Sequence, residues 1–152
     1  MRTLFPIIAL SLLAFGCQSQ IRAGLVIEDR TPIVGAGRTT TEALGIEILG
    51  GMFEPLINVG TTVPFSVSKV FTTAADGQSQ IILAPFRGTN KMASDNHALG
   101  RFQIIGISSA PRGTTQVEVT FRITERQILL SARDLTHKTD LQIQILTPDA
   151  KP

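Results

Sequence analysis

Residues 77–88 read GQSQIILAPFRG. The run alternates as a strand does, with successive side chains on opposite faces. Yet neither face is polar: Ile81 and Leu83 fall on one, and Ile82, Ala84 and Phe86 on the other. A half-buried antiparallel strand needs only one apolar face, so something must cover the second, whether core, partner or ligand. Pro85 removes a backbone donor from the run, which predicts a bulge or a sheet edge there.

Around this stretch the text is short β-prone runs cut by turn residues. Strands are predicted over 44–48, 52–57, 66–73, 80–87, 100–105, 116–123, 128–133 and 141–146. The breaks fall at Gly50-Gly51, Gly60, Asp76-Gly77, GTNKMASDNHALG (88–100), SSAPRG (108–113), TERQ (124–127) and LTHKTD (135–140). Eight short strands without a long helical period give an all-β class, an antiparallel β-sandwich. The TERQ turn lacks the glycine that tight hairpins use for positive φ, so a strained or longer turn is expected.

The chain has 152 residues, 43% of them hydrophobic, enough for one domain with its own core. Its formal charge of +2 creates no strong basic field, and its aromatic residues are all Phe. Nucleic acid is therefore not an expected partner, because neither phosphate neutralisation nor Trp or Tyr stacking is provided for.

The N-terminus, MRTLFPIIALSLLAFGCQSQ, carries one cation at Arg2 and an apolar run from Leu4 to Phe15. That run is short of the roughly 20 residues of a membrane span and fits a secretory signal. Gly16 before Cys17 resembles the lipobox of bacterial lipoproteins, although Ala14 stands where Leu is usual and Leu13 comes one place early. The expectation is a signal over 1–16, an acylated Cys17 as membrane anchor and a tether over 17–43; an ordinary secretory signal is the alternative. Gln18 resembles the residue that directs lipoproteins of Gram-negative bacteria to the outer membrane, so the expected location is the bacterial cell envelope, at the outer membrane facing the periplasm. Within the tether, GLVIEDRTPIV (24–34) is apolar and extended in character: either it adds a strand or it docks elsewhere. Cys17 is the only cysteine, so no internal disulfide is available. The sandwich is expected over 44–147 and a tail over 148–152.

Clusters with catalytic colouring are few. ASDNH (93–97) puts Ser94, Asp95 and His97 side by side, but triads need convergence in space and loop neighbours seldom give it, so the segment reads as a turn. His97 and His137 are the only histidines, and no carboxylate or cysteine cluster joins them; no metal site is expected. VGAGRTTTE (34–42) only echoes a phosphate-cradling loop, because no strand and helix frame it. Neither cofactor, nucleotide nor enzymatic activity is expected.

What remains is apolar excess at Ile46, Ile48, Leu49, Phe71, Ile81, Leu83 and Val117. Core packing explains any one of them. Together with LGIEILGGMFEPLI (44–57), TTVP (61–64), VFTTAADGQSQ (70–80), MASDNHALGRFQIIGISSAPRG (92–113) and QVEVTF (116–121), however, they closely resemble in order and spacing the polypeptide-binding β-domain of the 70-kilodalton heat-shock chaperones, the DnaK family. The resemblance covers residues 44–145. It implies an extended peptide gripped through its backbone, with a central pocket for Leu or Ile formed by Ile46, Ile48, Phe71, Ile81, Leu83 and Val117. It further implies that Leu49 and Ala74 arch over the bound chain and that loop 73–80 walls the groove. With Thr72 and Gln78, these complete the expected peptide-binding residues. The family's nucleotide domain and helical lid have no counterpart in this sequence, and its acidic, leucine-rich linker is echoed only by LVIEDRTP, some residues early. The expected function is thus ATP-independent binding of unfolded or extended polypeptides by a membrane-tethered module. The alternative is a structural or interaction lipoprotein whose groove holds its own tether or one fixed partner. Ile82 stands where the family is more often polar, so the cover of the second face is left open.

Overall fold

A computed structural model describes residues 24–29 and 33–146. The signal expected over 1–16, Cys17 and the tail over 148–152 lie outside them. Eleven strands are found: β1 Gly24–Ile27, β2 Ala43–Ile48, β3 Met52–Ile57, β4 Phe65–Thr72, β5 Gln80–Leu83, β6 Pro85–Gly88, β7 His97–Ala98, β8 Arg101–Ile105, β9 Gln116–Ile123, β10 Ile128–Asp134 and β11 Thr139–Leu146. A single 3₁₀ turn at Ala93–Asp95 is the only helical element among the described residues. Every strand pair is antiparallel, and the two sheets run β4-β9-β10-β11-β8-β5, with β1 added beside β10, and β3-β2-β6-β7. This is the all-β sandwich the turn spacing predicts.

The core follows from period-2 patterning. Along β9, Val117, Val119, Phe121 and Ile123 are fully buried while Glu118, Thr120 and Arg122 face outward. Leu44 and Ile46 of β2, Ile104 of β8, Leu130 of β10 and Ile143 of β11 join them in one cluster. Gly45 lets β2 cross close to β3: a Cβ there would stand 2.1 Å from the Glu54 carbonyl oxygen, at the point where the β2–β3 register shifts.

Three local expectations are revised. The run 80–87 is two strands, because the chain changes sheets at Ala84: β5 pairs β8, whereas β6 pairs β2 and β7. Pro85 sits at that corner, where its missing N–H breaks no ladder, and its carbonyl accepts from Leu99 N at 2.9 Å. The TERQ turn closes without positive φ: Thr124 N donates to Gln127 O at 2.9 Å, and Thr124 Oγ1 accepts from Gln127 N at 3.1 Å. A four-residue turn braced by a threonine hydroxyl does not need the glycine of a two-residue one. Finally, the sandwich starts well before residue 44. Gly24–Ile27 forms a ladder with β10, Ile27 pairing Ile128, and both Ile27 and Ile33 are buried in the core. Each buried Ile contributes about 1.5–3 kcal/mol.

The opening stretch is thereby resolved on one side. Ile81, Leu83, Pro85 and Arg87 all point inward, and the inward row ends on a buried cation. Arg87 is neutralised from the N-terminal segment, by Asp29 at 3.0 Å and Glu42 at 3.0 Å. On the other face Ile82 remains 49% exposed.

Candidate functional site

The expected binding residues lie along one end of the sandwich, in three tiers of exposure. Ile46, Leu83 and Val117 are buried in the common core. Phe71, paired across the ladder with Val117, and Ile81, paired with Ile104, are partly open and pack against that core. Ile48 is 39% exposed, Leu49 is 100% exposed, and Thr72 and Ala74 are exposed as well. The inward faces of β2, β4, β5 and β9 thus grade from core into an apolar lip. A buried floor with an uncovered apolar rim is an arrangement that takes up apolar side chains.

Two loops flank this lip. The first, 48–51, turns on Gly50 and Gly51, whose φ values of 89° and 73° suit glycine alone. It is held by Gly51 N donating to Ile48 O at 3.1 Å and by Ala93 N donating to Gly51 O at 2.9 Å. The second, 73–80, is braced from within and from behind. Gln78 Oε1 accepts from Ala74 N at 2.8 Å and Ala75 N at 3.2 Å, and Gln78 Nε2 donates to Gln80 O at 2.7 Å. Behind it, Gly113 N donates to Thr73 O at 2.8 Å, Gly77 N to Ala110 O at 2.9 Å and Arg112 N to Asp76 Oδ1 at 2.9 Å. Gln78, expected to meet the peptide, therefore spends its amide on holding Ala74 in place. Sequence reasoning missed this because QS in a loop carries no sign of which backbone groups it will meet.

Other candidate groups separate. Ser94, Asp95 and His97 form no triad: Ser94 Oγ donates to Asp95 Oδ1 at 3.4 Å, and His97 stands exposed on β7. No group of three or more metal-ligating side chains converges among the described residues. His137 instead meets buried Asp134, its Nδ1 lying 2.8 Å from Asp134 Oδ2, at the β10–β11 turn. Burial works to raise the Asp134 carboxyl, but the N–H groups of His137 and Thr136 and the His137 ring outweigh it, so the group sits below its ordinary value.

A family model described as "Hsp70 protein" matches residues 22–151. The chain belongs to the Hsp70 family. Among its relatives are two named chaperone protein DnaK. That of Methanothermobacter thermautotrophicus is 44% identical over 126 residues, covering 82% of this chain and 20% of the relative. That of Thermosipho melanesiensis is 46% identical over 112 residues, covering 73% and 17%. The chain thus spans about a fifth of the length of these curated relatives. The match begins at residue 22, ahead of the strand boundary expected from sequence, in keeping with β1 and its buried Ile27 being part of the Hsp70 fold here. The described part of GLVIEDRTPIV is therefore spent on the sandwich edge, and a groove filled by that segment is set aside.

Proposed function

We propose that this Hsp70-family chain binds extended or unfolded polypeptide segments at the apolar lip between loops 48–51 and 73–80. Acylation of Cys17 would tether it to the bacterial envelope, at the outer membrane facing the periplasm, and binding would need no nucleotide. The observation that carries the reading is the continuous apolar gradient from buried Ile46, Leu83 and Val117 through Phe71 and Ile81 to fully exposed Leu49. Burial at about 25 cal/mol per Å² makes a client Leu or Ile side chain the main anchor, and backbone bonding by the flanking loops adds grip tolerant of sequence. All of these residues lie between 46 and 117, within the sandwich itself, so ATP is expected to leave affinity unchanged.

The test is fluorescence anisotropy of a labelled, extended, Leu-centred peptide titrated with the chain and with Ile81→Phe. The added ring fills the partly open tier, so binding should weaken by on the order of 100-fold while the fold persists. Unchanged affinity in that variant would remove the groove from consideration. A second reading, one fixed partner, is favoured by the exposed stripe of Ile48, Met52 and Met92 beside the lip, in which Ile48 pairs with Met52 and Met52 bridges to Met92. Loss of affinity for every peptide but one natural sequence would favour it.

A further inference from the structure

We propose that the end of the sandwich opposite the lip carries a second site, which binds a phosphate group. A cleft of about 460 Å³ opens there, lined by Arg38, Arg122 and Arg126 together with Glu125, Thr124 and Pro64. Two pieces of chain bring the three arginines to the cleft: the turn 35–39 and the β9–β10 hairpin. Arg38 lies on the turn 35–39 of the segment ahead of β2, held by its N–H donating to Gly35 O at 3.1 Å and its carbonyl accepting from Val63 N at 2.9 Å. Its φ of 57° turns the side chain toward the β9–β10 hairpin, where Nε meets Glu125 Oε1 at 2.5 Å. Arg122 stands on the outward face of β9, and Arg126 on the turn that Thr124 closes.

Three guanidinium groups against one carboxylate leave the cleft about two positive charges in excess. That is the charge a phosphate monoester supplies near neutral pH, about −1.5 to −2. Planar guanidinium forks match phosphate oxygens two at a time and stay charged throughout the accessible pH range. Glu125 acts as an internal stand-in, holding Arg38 until an anion displaces it. The cleft is a sandwich length from loops 48–51 and 73–80, so phosphate binds without competing with peptide. The phosphate arrives either on a soluble ester or on a lipid headgroup.

Isothermal titration of the 152-residue chain with inorganic phosphate, against matched sodium chloride, tests the site. A dissociation constant on the order of 1 mM is expected. The Arg38→Gly, Arg122→Gln double variant should weaken it about tenfold or more, and Glu125→Gln should tighten it about threefold. Glycine suits the Arg38 backbone, so the first change leaves the turn intact. Flotation with phosphatidylcholine vesicles, with and without one fifth phosphatidic acid, separates the sources. Phosphate binding with acid-dependent flotation assigns the headgroup, as does acid-dependent flotation by itself; phosphate binding alone assigns a soluble ester. Wild type and double variant behaving alike in both arms, or chloride competing equally with phosphate, overturns the proposal.

Discussion

At the far end of the sandwich Thr40 alone takes part in four hydrogen bonds: its N–H donates to Thr61 O, its carbonyl accepts from Gly60 N, and its hydroxyl joins Asn58 O and Thr61 N. At the groove end Leu49 stands wholly in solvent on a turn closed by one internal bond. The N-terminal segment makes the difference, adding β1, burying Ile27 and Ile33 and neutralising Arg87 at the far end. One end is thus closed by a segment that buries Ile27 and Ile33 and brings Asp29 and Glu42 to Arg87. The other keeps apolar groups uncovered, which costs little when they are few and surrounded by braced loops. With peptide bound at the lip, as proposed, stability and binding lie at opposite ends, and substitutions should separate them.

The largest effect on stability is expected from Arg87→Met. It removes the buried guanidinium that Asp29 and Glu42 each meet at 3.0 Å, a loss of about 1.5–3 kcal/mol. Urea denaturation should show it, while peptide affinity of the folded fraction stays at the wild-type value. A matching loss of affinity would mean that the two ends are coupled. Next comes Gln78→Ala, which strips loop 73–80 of its internal brace. About 1–2 kcal/mol should be lost, with faster hydrogen exchange at Ala74 and Ala75 and roughly tenfold weaker peptide binding.

Acid acts through Asp134. Its folded-state value is depressed, so its contribution is fully present above the unfolded carboxylate range near 3.9 and is lost as pH falls through the lower folded value. Melting temperature should be flat near neutrality and fall below a pH of about 4, and Asp134→Asn should flatten that fall. The smallest effect on stability, within about 0.5 kcal/mol, belongs to Leu49→Ala, because nothing covers that side chain in the free protein. The same change should cost about tenfold in peptide affinity, reversing the order seen at Arg87. If Leu49→Ala binds peptide normally, the exposed lip has no part in gripping it.

Much of this was legible without coordinates. Alternation in QVEVTFRI and turn residues at Gly50-Gly51 and Asp76-Gly77 mark the strands within a residue or two, since pleat and φ preference act locally. The inward direction of Ile81 and Leu83 follows from the same parity. The roles of Gln78 and Arg87 were not legible. An amide or guanidinium is assigned by the groups that meet it, and those come from Ala74 and Gln80 in one case and from Asp29 and Glu42, far earlier in the sequence, in the second.

Composition, period and motif order are local properties, and they alone carry the all-β class, the likeness to the Hsp70 family, the apolar character of the lip residues and the lone cysteine. It takes the folded chain to show that β1 pairs with β10, that 80–87 changes sheets at Ala84, and that Arg38, Arg122 and Arg126 share a cleft. Those outcomes depend on which distant backbone donors, carboxylates and apolar faces are left unsatisfied once the sheets have formed, and a buried group without a partner is too costly to leave so.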